Sequence, residues 1–101
     1  MTTILRQLDS YQPYSSDGVT RLLELDDGTF LIGFDLPKEG EIPEDLNTGY
    51  GIYSFQNLNQ ALDHWRVDLV HHFHSGYNTL TDEENLSAAY GRCRMLKKRY
   101  A

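Results

Sequence analysis

The chain contains one cysteine, Cys93, among 101 residues, so no disulfide can form within it. Small secreted domains commonly depend on several such bonds, and their lack here points to a reducing compartment. Long apolar runs are missing too. None approaches the ~20 residues needed to cross a bilayer, so no membrane span is expected. The opening stretch Met1–Leu8 lacks a charged segment followed by an apolar run and is not read as a signal peptide. Cytoplasm is therefore the expected location.

Familiar catalytic signatures are equally scarce. Gly49-Tyr50-Gly51 and Gly76 make neither GxGxxG nor GxxxxGK[ST], and no lysine follows them to cradle a phosphate. Asp26-Asp27-Gly28 lacks the later ligands of an EF-hand loop. Ser15, Ser16 and Ser54 have no nucleophile-elbow context. Cys93 falls on the apolar side of a helical pattern, where a thiol behaves as a small hydrophobe. The reading calls for no cofactor and no enzymatic activity.

Positive charge is the next shortage. Nine basic residues stand against fifteen acidic ones, giving a net charge of −6 with histidines neutral. Residues 1–48 hold ten acids and three bases, whereas residues 49–101 hold five acids and six bases. Binding to nucleic acid draws on Lys and Arg displacing counterions, so this balance argues against direct DNA or RNA contact. The one basic segment, Arg92–Tyr100, is read as complementing the negative end of a helix, with contact to a membrane surface or nucleic acid as the alternative. Protonation of all four histidines would move the formal charge from −6 to −2, in a range centred near pH ~6.5.

What remains is an ordinary globular composition, 40% hydrophobic and 24% charged, with no repeat, low-complexity tract or linker. It is read as one domain over residues 1–101, a length that buries roughly two thirds of the unfolded surface. Residues 20–25 and 29–36 flank Asp26-Asp27-Gly28, which predicts a hairpin with glycine at a left-handed position. Alternation along the second strand predicts that Phe30, Ile32, Phe34 and Leu36 face the core. Residues 48–55 read as another strand. Residues 3–11 lean toward a strand as well. Pro43–Leu46 fits one helical turn.

Two helices follow. Asn57 with Gln60 makes a capping-box pattern, and Leu58, Ala61, Leu62, Trp65, Leu69 and Phe73 form an apolar stripe up to a stop at Gly76. Thr81 with Glu84 makes a second box. Leu86, Ala89, Cys93, Leu96 and Tyr100 are the expected buried face of that helix. The fold class is α+β: an antiparallel sheet of three or four strands with two C-terminal helices packed on one face.

Two groups of residues are candidates for function. Carboxylates at Asp26, Asp27, Glu39, Glu41, Glu44 and Asp45, joined by Tyr50 and Tyr53, suit contact with the basic surface of a protein partner. This predicts a small acidic binding or regulatory module, with a phage- or plasmid-type inhibitor acting by charge mimicry as a special case. His64, Asp68 and His71 lie at i, i+4 and i+7, a spacing that brings imidazoles and a carboxylate to one helix face and offers a metal- or ligand-binding alternative. The same pattern places His64 and His71 nearly opposite the apolar stripe, toward solvent. A homo-oligomer burying sheet edges or tyrosines is a third reading.

Overall fold

A computed structural model describes residues 2–14, 17–43, 46, 51–75 and 80–101. Four strands, β1 (Ile4–Tyr11), β2 (Thr20–Leu25), β3 (Phe30–Phe34) and β4 (Ile52–Phe55), precede two helices, α1 (Leu58–Ser75) and α2 (Asp82–Tyr100). The strands form an antiparallel sheet in the order β1-β2-β3-β4, and the helices pack on it. The α+β expectation holds. The expected helical turn at 43–46 and the stop at Gly76 lie partly or wholly outside the described residues, as do Ser15 and Ser16.

The central hairpin follows from local chemistry. Gly28 sits at φ 87°, where an L side chain would be strained. Asp27 Oδ1 accepts hydrogen bonds from the Thr29 N–H at 3.0 Å and the Thr29 hydroxyl at 2.6 Å, closing the turn. These bonds favour the ionised carboxylate and hold the Asp27 pKa below its usual range. At the other end of the molecule, both halves of the Thr81–Glu84 capping box form, fixing the start of α2.

The sheet buries both faces, which alternation alone does not predict. One face carries Leu8, Leu22, Phe30 and Ile32 against Ala61, Leu62, Trp65 and Leu69 of α1 and Ala89, Cys93 and Leu96 of α2. The other carries Ile4, Leu23, Leu25 and Leu31, covered by Leu36 and Ile42 from the segment after β3. Against the simple alternation, which puts Leu31 outside and Phe34 inside, Leu31 is buried and Phe34 is 47% exposed. Leu36 joins the second face because Asp35, at φ 59°, breaks the alternation. The ring of Phe34 lies over Gly18, where a Cβ would approach its Cζ to 2.4 Å.

A similar reversal occurs in β1. Its pairing with β2 shifts register between Ile4 and Arg6 and again between Gln7 and Asp9. Strict alternation would put Ile4 and Leu8 on one face, but the shifts send them to opposite clusters. They also aim Asp9 at the helices. Asp9 Oδ2 accepts from Trp65 Nε1 at 2.9 Å and Arg92 Nε at 2.7 Å, while Oδ1 accepts from Arg92 Nη2 at 2.6 Å. A single carboxylate thus ties β1 to both helices. In α2, Leu86 departs from expectation at 42% exposed, and Asn85 is buried in its place.

Candidate functional site

Four of the predicted carboxylates share one end of the molecule, and the start of β1 holds them there. On one side of Thr3, its N–H donates to Asp26 Oδ1 at 3.0 Å and its carbonyl accepts from the Asp26 N–H at 2.9 Å. On the other side Thr3 pairs with Glu41, the Ile4 N–H donates to the Gly40 carbonyl, and the Ile42 N–H donates to the Thr2 carbonyl. The hairpin tip and the 39–41 segment therefore flank the same short run of backbone. Asp26, Asp27, Glu39 and Glu41 are all exposed. Among the described residues none of them has a basic side chain within 4.0 Å.

The remaining members of that predicted set divide. Glu44, Asp45 and Tyr50 lie outside the described residues. Tyr53 is exposed but stands on the helix-packed side of the sheet, its ring 4.4 Å from that of His64. It does not join the four acids, because the segment carrying Glu39 and Glu41 covers the opposite face.

The histidine helix also looks different from its helical-wheel projection. His64 is half-buried rather than solvated, since the rings of Tyr53 and Phe55 on β4 rise beside it. Its Nε2 lies 3.5 Å from Asp68 Oδ2. Burial raises the Asp68 pKa even though His64 and His71 pull it down. His71 is exposed. Among the described residues no group of three or more His, Cys, Asp or Glu side chains is placed to hold a metal ion. His72 is stacked on Tyr11 at 4.4 Å and Tyr14 at 4.9 Å, and burial, with a smaller push from Arg92, lowers its pKa.

A third region was not singled out by sequence. Along the seam between α1 and α2, a groove of about 420 Å³ is lined by Asn59, Leu62 and Arg66 from one helix and Tyr90, Cys93 and Lys97 from the other. Asp63 and Arg94 complete its walls. Arg66 Nη1 donates to the Tyr90 hydroxyl, and its guanidinium lies 4.6 Å from the centre of that ring. On the floor, the Cys93 thiol donates to the Leu62 carbonyl at 3.6 Å. Burial, and next the negative charge of Asp9, push the Cys93 pKa up to about 11, so the sulfur is a neutral thiol rather than a nucleophile.

Among the described residues no helix is long and apolar enough to cross a membrane. Comparison of the chain with protein-family models, curated proteins and solved structures finds no match.

Proposed function

We propose that this chain is a non-enzymatic, acidic protein-binding module that docks on a basic surface of a larger protein. The contact surface is the end built by the hairpin tip, Thr3 and residues 39–41. The observation that carries the reading is the backbone stitching of residues 2–4, which sets Asp26, Asp27, Glu39 and Glu41 around one centre. Backbone fixed in this way keeps the four exposed carboxylates on neighbouring segments, and their field steers a basic partner toward them.

A regulator or inhibitor that occupies the nucleic-acid site of an enzyme fits the same chemistry. Spaced carboxylates then stand in for phosphates, and the chain and DNA compete for one basic surface. The test is retention of proteins from a nuclease-treated lysate on immobilised chain, at low and moderate salt. The expected result is one stoichiometric partner that is released by salt and, in the mimicry case, by added DNA. Replacing Glu39 and Glu41 with lysine reduces its retention. Retention unchanged by that charge reversal in low salt would remove the acidic end from the account.

A further inference from the structure

We propose that the seam between α1 and α2 is a binding site for a small organic anion, a carboxylate or phosphate carried on an apolar or aromatic group. The chain as a whole is acidic, yet this groove gathers Arg66, Arg94 and Lys97 against Asp63 alone. Among the described residues, none of the three cations lies within 4.0 Å of a carboxylate. Arg92, two residues from Arg94, is the contrasting case: it turns to the sheet and is neutralised by Asp9. The seam cations keep their charge for a ligand.

The shape fits the same class of ligand. A volume of about 420 Å³ lies within the range of small-molecule sites. The floor is apolar, formed by Leu62 and Cys93. Its thiol is uncharged at neutral pH and does not repel an anion. Arg66 is held against Tyr90 by its hydrogen bond and by stacking on the ring, so its guanidinium is already oriented before a ligand arrives. The anionic head then lies between Arg66 on α1 and Arg94 with Lys97 on α2. The apolar part rests on the floor beside the Tyr90 ring. A groove of this size suits a small molecule, whereas the exposed acidic end suits a protein surface, and the two readings stand or fall separately.

The experiment is a titration of isotope-labelled full-length chain with benzoate, phenyl phosphate, inorganic phosphate and benzyl alcohol, followed by amide chemical shifts. Benzoate or phenyl phosphate is expected to produce saturable shifts centred on Leu62, Arg66, Tyr90 and Arg94. Inorganic phosphate and neutral benzyl alcohol are expected to bind at least about tenfold more weakly, since each lacks one half of the recognition. Arg94→Gln, at an exposed position without a carboxylate partner, is expected to weaken binding by about tenfold and leave thermal stability unchanged. Arg66→Gln gives a second test from the other helix, and Glu39→Lys should leave binding intact.

No saturable shift with either organic anion up to about 10 mM would overturn the proposal. Equal binding of benzyl alcohol, or undiminished binding by both arginine variants, would overturn it as well.

Discussion

The acidic end and the helical seam are both charged surfaces, but they are built in opposite ways. At the acidic end the backbone does the placing. Thr3 exchanges hydrogen bonds with Asp26 and pairs with Glu41, and the carboxylates project from an exposed rim. In the seam the side chains do the placing, as Arg66 leans on Tyr90 and two helices converge over Leu62 and Cys93. An exposed group of like charges favours rapid encounter with a large oppositely charged surface. A concave groove with an apolar floor favours a small ligand that fills it. Charge of either sign therefore says less than the setting that presents it, an open surface or a groove with an apolar floor.

The contrast is sharpest at Arg92 and Arg94. They look equivalent in sequence, yet Arg92 makes paired bonds to Asp9 and another to the Ser10 carbonyl at 2.8 Å, while Arg94 faces the groove. Asp9→Ala leaves the Trp65 indole N–H and the Arg92 guanidinium without their shared acceptor. A loss of about 3 kcal/mol is expected from denaturant unfolding. Arg92→Ala should cost a comparable amount, and Arg94→Ala should fall within about 0.5 kcal/mol of the parent. Equal effects at the two arginines would erase the distinction between a structural cation and a ligand-facing one.

Exchanging the charges tests the two surfaces against each other. The pair Glu39→Lys and Glu41→Lys is expected to reduce partner affinity by about tenfold at low salt, with the difference narrowing as salt screens it. The pair Arg66→Gln and Arg94→Gln should leave that affinity unchanged. Binding isotherms at two ionic strengths read this directly.

A smaller effect is expected at the start of α2, remote from both surfaces. Thr81→Ala removes the acceptor for the Glu84 N–H and should cost about 1 kcal/mol in thermal or denaturant unfolding, without altering either binding activity. The smallest is a pH effect at His72. Its folded pKa lies below the unfolded value, so the unfolded chain takes up the proton first as pH falls. The His72 contribution is absent above pH ~6.5 and destabilises the fold as pH drops through and below it. His72→Phe keeps an aromatic ring against Tyr11 and should flatten that part of the stability–pH curve. Asp68, whose folded pKa is raised, works in the opposite direction, gaining stability as pH falls through that raised value.

Local chemistry made much of the fold readable in advance. The glycine of Asp26-Asp27-Gly28, the Thr81–Glu84 box and the Leu58–Phe73 stripe each specify an element from a few neighbouring residues, and each forms as expected. The second core beneath the sheet was not readable in the same way. It depends on the register shifts in β1 and the left-handed Asp35, which reverse faces where simple alternation predicts none. His64 departs from its helical-wheel position because the wheel does not include Tyr53 and Phe55 on β4.

The candidate sites follow the same division. The acidic residues were visible by composition, but their grouping around Thr3 depends on backbone pairing. The seam had a legible signal. Asn59, Asp63 and Arg66 repeat at i, i+4 and i+7, and so do Tyr90, Arg94 and Lys97, giving each helix one polar stripe. What pattern alone lacks is the alignment of the two helices, which sets those stripes face to face.

The most direct measurement is the capture of a partner on wild-type chain, the Glu39/Glu41 lysine variant and the Arg66/Arg94 glutamine variant, from one nuclease-treated lysate at two salt concentrations. The account predicts one stoichiometric protein on wild-type chain, released at the higher salt. That protein should be lost from the lysine variant and kept by the glutamine variant. Equal capture by the lysine variant, or no stoichiometric protein at either salt, would contradict it.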